Sequence, residues 1–217
     1  MAHRRKCTQK RNCGQNHIIM KYLFSSDYHF FHQNILKYEN RPFDSVEKMN
    51  SEIVRRHNER ANEEDIIFCL GDVGFYASAM KAERGEGMPV RALDLLKQMK
   101  GNIYRVRGNH DKNTNKLYVP IKSIYLDISG LRVQLIHRPE DADIENNNLI
   151  IHGHTHSKFP TQEKLNSKKV PIYFINVSVE QNNYYPFTWD ELKAKWDKWV
   201  SKHSLRKIIN RSIITKG

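Results

Sequence analysis

Five apolar runs in this 217-residue chain end directly in residues that bind metals or carry protons. The ends are Asp27-x-His29, Gly71-Asp72, Gly108-Asn109-His110-Asp111, His137 and Gly153-His154-x-His156. Residues two apart share a face of extended backbone. Asp27 with His29, and His154 with His156, can therefore aim at one point. Of the 11 histidines in the chain, five (29, 110, 137, 154 and 156) lie at these ends. Independent core or surface histidines have no reason to gather there. Gly108-Asn109-His110-Asp111 on its own is also ordinary turn material. Read together, the five ends point to one site, because open α/β sheets put their sites at strand ends.

The residue types narrow the chemistry. A mixed His, Asp and Asn set without cysteine suits Mn²⁺, Fe, Zn²⁺, Ni²⁺ or Co²⁺ rather than Ca²⁺ or an iron–sulfur cluster. There are more candidate ligands than one tetrahedral ion takes. Two divalent ions about 3.5–4 Å apart, bridged by a carboxylate and a water, fit the set better. Such a pair neutralises a phosphate and brings the pKa of the shared water toward neutrality.

In order and approximate spacing the five blocks resemble the signature of the calcineurin-like metallophosphoesterases, over about residues 20–180. Ser26-Asp27-Tyr28-His29-Phe30, Asn40-Arg41-Pro42-Phe43 and Asn176-Val177-Ser178-Val179-Glu180 further resemble a compact phage and bacterial subgroup of that family. The resemblance implies an α/β fold, a four-layer αββα sandwich of two mixed β-sheets flanked by helices. It implies that Asp27, His29 and His156 hold a first metal, and that Asn109, His137 and His154 hold a second. Asp72 would bridge them, with Mn²⁺ the foremost choice of ion. A metal-bridging hydroxide would be the nucleophile. His110 would face the substrate, stabilising the transition state or protonating the leaving oxygen, and Asp111 would orient its ring. Candidate phosphate binders are His32, Asn34, Arg41 and Arg138; arginine suits bidentate phosphate recognition. His152 reads as a hydrogen-bonded strand-end histidine rather than a ligand.

These residues need a frame. Apolar patterning predicts strands at 18–25, 65–70, 102–107, 149–151 and 170–177, and a hairpin of 123–128 and 131–136 around Ser129-Gly130. Short helices are expected at 30–37 and 90–99. A longer one runs to about residue 61, capped by Asp44 or Ser45, with Val46, Met49, Ile53, Val54 and His57 on one face. Thr188 and Glu191 form a capping box opening another helix, with Trp189, Leu192, Trp196, Trp199 and Val200 on one face. Segment 157–169 reads as a polar excursion, and 74–89, 112–122 and 138–147 as loops.

The formal charge of +12 is unevenly spread. Residues 1–17 and 201–217 each carry five Lys or Arg and no acid. The body, 18–200, keeps 26 basic residues against all 24 acidic ones, a net +2. The expected organisation is a basic, disordered arm at 1–17, one metallophosphoesterase domain at 18–200 and a basic tail at 201–217. Met20-Lys21-Tyr22-Leu23-Phe24 reads like a start leading straight into a strand. Three cysteines are an odd number and form no disulfide framework. With no signal peptide and no apolar run long enough to span a bilayer, a cytoplasmic setting is expected, the host cytoplasm if the chain is phage-encoded. The functional expectation is a dinuclear phosphodiesterase acting on a nucleotide-like or other small phosphoester. A nuclease using the basic ends to grip nucleic acid is the nearest alternative. A noncatalytic scaffold of the same fold is a third, and the complete ligand set with His110 speaks against it.

Overall fold

The computed structural model describes residues 20–74, 92–112 and 117–214, with side chains through residue 204. The expected arm at 1–17 and most of the 74–89 loop lie outside the described residues. Two mixed sheets pack face to face. In the first, β1 (Tyr22–Ser25), β2 (Ile66–Cys69) and β3 (Asn102–Arg105) run parallel, and β9 (Phe187–Thr188) pairs antiparallel with β1, giving the order β3-β2-β1-β9. The second contains β4 (Ser123–Ile128), β5 (Leu131–Ile136), β6 (Leu149–His152), β7 (Thr161–Leu165) and β8 (Pro171–Asn176), in the order β4-β5-β6-β8-β7. Strands β5, β6 and β8 are parallel, and β4 and β7 are antiparallel edges.

Strands covered on both faces read as unbroken apolar runs. That is why 66–70 and 149–151 lack alternation. Phe24, Phe68, Leu70 and Val106 from the first sheet meet Val133, Leu135, Leu149, Ile151 and Ile175 from the second. Leu192, Trp196 and Trp199 of α4 (Trp189–Ile214) close that core. The outer face of the first sheet lies under α1 (Ile35–Tyr38), α2 (Val46–Arg60) and α3 (Ala92–Leu96), through Ile35, Met49, Ile53 and Leu95 among others. The outer face of the second sheet, with Ile136, Ile150, Ile172 and Phe174, is covered by Ala142 and Ile144. Among the described residues this fourth layer is a connection containing a 3₁₀ turn, Pro139–Asp141.

Parallel pairing has a direct consequence for the site. Ser25 pairs with Cys69 and Cys69 with Arg105, so the first three strands end at one edge. Ile136 pairs with His152 and His152 with Asn176, so the same holds for the second sheet. A parallel bridge between Ser26 and Ser178 stitches the two edges together. All five motif blocks leave the sandwich at this seam.

The helix caps follow the sequence reading. Ser45 Oγ accepts from Lys48 N at 3.2 Å. Thr188 Oγ1 accepts from Glu191 N at 3.2 Å, and Glu191 Oε2 accepts from Thr188 N at 2.9 Å. Three expectations differ. The polar excursion contains an edge strand, β7, whose single partner needs no apolar face to pair. The helix expected at 30–37 starts at Ile35, and the one at 90–99 is described as Ala92–Leu96. The segment 201–217, expected as a separate tail, continues α4 as far as Ile214.

His57 on α2 is buried, with Nε2 2.9 Å from the Lys100 carbonyl. Burial pushes its pKa below the ordinary histidine value, against the pull of that carbonyl and of Asp65. The folded state therefore holds this ring neutral, while the unfolded chain takes up a proton below a pH of about 6.5. The ring's contribution to stability is complete above that pH and falls away below it. Urea midpoints measured at neutral pH and in mild acid should separate more for the wild type than for His57→Gln. An equal separation would show that His57 is not the source.

Candidate metal centre

The strand ends deliver their side chains through unusual backbone. Asp27, His29, Asp72, His154 and His156 have φ of 60°, 52°, 52°, 70° and 49°. Such left-handed positions cost about 1–3 kcal/mol each in non-glycine residues, and they cluster where function needs them. The neighbouring glycines have a steric reason. A Cβ on Gly108 would lie 2.1 Å from Asp72 Oδ1, and one on Gly153 would lie 2.0 Å from Ser26 Oγ. The loops touch so closely that only glycine fits.

The first group is Asp27, His29 and His156, each offering one atom, all within 4.8 Å of one another. Asp27 is fully buried. Its Oδ2 accepts from His154 N at 2.9 Å and from Ser178 Oγ at 2.8 Å. Its Oδ1 is buried with no hydrogen-bond donor. That atom faces His29 Nε2 at 3.9 Å and His156 Nε2 at 3.8 Å. These spacings are too long for hydrogen bonds. They suit atoms arranged around a cation with bonds of about 2.0–2.2 Å. His156 Nδ1 lies 3.1 Å from Glu180 Oε1, which fixes its tautomer and turns Nε2 toward Asp27.

The second group is Asp72, His137 and His154, again within 4.8 Å. Asp72 Oδ1 accepts from His110 N at 2.8 Å. Its Oδ2 lies 3.3 Å from His137 Nε2 and 3.7 Å from His29 Nε2, so it stands between the two groups. His137 Nδ1 donates to the Leu70 carbonyl at 2.8 Å. Its Nε2 then faces both Asp72 Oδ2 and Asn109 Oδ1, the latter at 2.9 Å. Three acceptors around one point need a proton or a cation between them. Burial alone would lower the His137 pKa, but the Asp72 and Asp27 carboxylates outweigh it and raise it to about 9. Burial likewise opposes ionisation of Asp72, yet His137 and His29 hold its carboxyl well below the usual range. The donor set fits divalent ions, and a metal held at His137 would take the place of its proton.

The structure therefore brings Asp27, His29, Asp72, Asn109, His137, His154 and His156 to one place. His110 stands at the open side, with its side chain 41% exposed and Nε2 4.0 Å from Asp72 Oδ2. His32 lies with Nδ1 3.3 Å from His29 Nδ1. Burial first, then the neighbouring His110 and Arg41, lowers its pKa to about 4 and keeps it neutral. Asn34 is an exposed residue at the N-cap of α1. Arg138 is exposed, with Nη1 3.7 Å from Glu140 Oε1. His152 is buried, with Nδ1 2.8 Å from the Gly153 carbonyl, as expected of a strand-end histidine.

Two expected roles change. Arg41 was expected to meet phosphate, but it is 4% exposed. It donates to the Asp27 and Tyr28 carbonyls at 2.8 Å each and to Glu180 Oε1 at 2.6 and 3.0 Å. A guanidinium committed in this way is a brace behind the first group. Asp111 was expected to orient His110. Its carboxylate instead accepts from the backbone N–H of Gly108, Asp72 and Val73 at 2.9–3.0 Å. It ties the 108–111 loop to the 71–73 loop. Glu180, Ser178 and Asn176 received no role from sequence. Asn176 Nδ2 holds the 155–158 loop through Thr155 Oγ1, the His156 carbonyl and the Lys158 carbonyl, at 2.8–3.0 Å. Their signal was a sixth apolar run, β8, ending in polar residues.

Burial would raise the Glu180 carboxyl pKa, but His156 and Arg41 bring it below the ordinary value. Arg41→Met leaves that carboxylate buried without its cation, and should cost about 3–5 kcal/mol in denaturant unfolding. A loss within the scatter of surface substitutions would contradict the brace.

Residues 20–177 match the calcineurin-like phosphoesterase superfamily domain. An uncharacterized protein of Methanocaldococcus jannaschii is 37% identical over 174 residues, which is 79% of this chain and 89% of that one. The crystal structure of a protein of unknown function from Aquifex aeolicus superposes with a TM-score of 0.59 at 24% identity, covering 81% of this chain and 99% of that one. The structural likeness speaks for the fold. On the strength of the matched domain and the archaeal relative, this chain belongs to the calcineurin-like phosphoesterase superfamily, a family of metal-dependent phosphoester hydrolases.

Proposed function

We propose that this metallophosphoesterase cleaves phosphodiesters, on a nucleotide-like or other small molecule, with two divalent cations, Mn²⁺ foremost. The observation that carries the reading is the meeting of two ligand groups at Asp72 Oδ2, 3.7 Å from a nitrogen of one and 3.3 Å from a nitrogen of the other. Asp27, His29 and His156 would hold one ion, Asn109, His137 and His154 the other, and Asp72 both. Bound cations would neutralise the phosphate and supply an acidified water as nucleophile.

The chain's own groups do the positioning. Glu180 and the Leu70 carbonyl orient the rings of His156 and His137. Ser178 Oγ and His154 N hold one oxygen of Asp27 so that the other faces inward. His110 is placed to meet a nonbridging oxygen or to give a proton to the leaving oxygen. A diester needs room on both sides of phosphorus. His32 and His110 stand beside the centre, their ring centroids 6.5 Å apart, and an open cleft beginning at Asn109 and His137 leaves room for a second ester group. This supports a diester over a monoester. No described helix is long and apolar enough to cross a membrane. We place the protein in the cytoplasm, a setting that suits its buried free Cys69.

The wild type with Mn²⁺ should hydrolyse an aryl phosphodiester, and chelation should stop it. Asp72→Asn and His110→Ala should each lower kcat/KM by about 10²–10⁴-fold. Wild-type rates in both variants would refute the assignment.

A further inference from the structure

The centre opens on the Asn109 and His137 side into a cleft of about 590 Å³. Arg107, Lys122 and Arg138 stand around it, and Tyr125 and Gln134 form part of its wall. We infer that this cleft is a subsite for a phosphate-bearing nucleotide unit next to the scissile bond, with the phosphate on the three cations and the base stacked on Tyr125. The inference rests on the functional reading above and names the substrate class for that site.

The volume comes first. Ligand pockets run to about 300–1,000 Å³, so this cleft suits a group of mononucleotide size. The charges come next. Arg107 is held in place: Nη1 lies 3.2 Å from Tyr118 Oη, and the guanidinium sits 5.3 Å from the centre of that ring. A fork already fixed loses little freedom on meeting phosphate oxygens. Lys122 is exposed, and Arg138 makes a loose ion pair, its Nη1 3.7 Å from Glu140 Oε1. Two acids share the lining, Asp141 and Asp143. The Asp143 carboxylate is turned into its own loop, accepting from Glu145 N, Asn146 N and Asn146 Nδ2 at 2.9–3.3 Å. Glu140 offsets part of the Arg138 charge and Asp141 stands exposed at the rim, so Arg107 and Lys122 are the cations that an anion entering the cleft would meet first.

The aromatic wall is built. Tyr125 is 59% exposed, a large ring on a strand that the core does not use. Its hydroxyl accepts from Gln134 Nε2 at 3.3 Å. Gln134 is 2% exposed, and its Oε1 accepts from Asp143 N at 2.8 Å. The ring is thus anchored through its hydroxyl, and Tyr125 is an exposed part of the cleft wall. Stacking of a base on such a ring contributes about 1–3 kcal/mol. A simple phosphate or alkyl ester would use the cations and leave the ring idle, so the pair of features favours a nucleotide.

The test needs no turnover. Full-length protein loaded with Mn²⁺ is titrated with the ADP analogue whose bridging oxygen is replaced by methylene. Lys122→Ala combined with Arg138→Ala should raise its Kd about tenfold. Tyr125→Leu should raise it about tenfold and Tyr125→Phe less than about twofold, because stacking needs the ring and not the hydroxyl. Kd values within about twofold of wild type in both the double variant and Tyr125→Leu would overturn the subsite. Turnover separates the two readings. In the double variant the ratio of kcat/KM for a dinucleoside diphosphate to that for an aryl diester should fall; an unchanged ratio would also count against the cleft. A wild type that binds the analogue through these residues but hydrolyses no phosphoester would leave the cleft standing and bring down the functional reading.

Discussion

Asp27 Oδ1, Asp72 Oδ2 and the ring nitrogens of His29, His137 and His156 are crowded into a seam with little access to water. Acceptors held this close without a proton or a cation repel one another, and burial removes the solvent that would screen them. Much of the surrounding structure answers that constraint. The second oxygen of each carboxylate is occupied by donors, Ser178 Oγ and His154 N on Asp27, and His110 N on Asp72. Each is left with one oxygen aimed inward. A site arranged so asks for positive charge, and a bound divalent metal would supply it.

The cost of the arrangement appears in the backbone. Five site residues sit in left-handed conformations, and two glycines allow contacts that any side chain would block. Such strain persists only where the surroundings over-determine it. Asp111 does this for two loops at once, by accepting three backbone N–H groups. Arg41 does it for the first group, reaching from the turn after α1 to Glu180, 139 residues later. Neither touches the reacting centre in this geometry. Both hold the candidate ligand residues and their loops, Arg41 through a buried ion pair to Glu180.

The two sides of the centre differ in kind. Toward His32 and His110 it is lined by imidazoles, with ring centroids 5.3 and 5.4 Å from that of His29. Toward Arg107, Lys122 and Arg138 it is wider and cationic, and it ends on an anchored tyrosine. In folds of this type the scaffold is shared and loops set the substrate. Here the cationic side is built from the 107–109 loop, the start of β4 and the connection after β5. That connection also covers the outer face of the second sheet, so one segment both completes the core and shapes the cleft.

Residue types and order determined most of what the site is made of. Asp-x-His, Gly-Asp, Gly-Asn-His-Asp, His and Gly-His-x-His stood out because five ends of apolar runs in one chain carry groups that bind metals or protons. The parallel strands, the hairpin and both capped helices were legible for the same local reasons. Tertiary structure alone decided the supporting roles. Arg41 looks like a turn residue until the chain brings Glu180 beside it, and Asp111 looks like a partner for His110 until the 71–73 loop offers its amides. The edge strand β7 was hidden because one-sided pairing leaves no apolar pattern. The cleft was hidden because Arg107, Lys122, Tyr125 and Arg138 belong to three segments with no common motif. Local pattern reports what each residue needs from its neighbours in sequence. Which distant partner meets that need depends on register and packing, and those exist only in the folded chain.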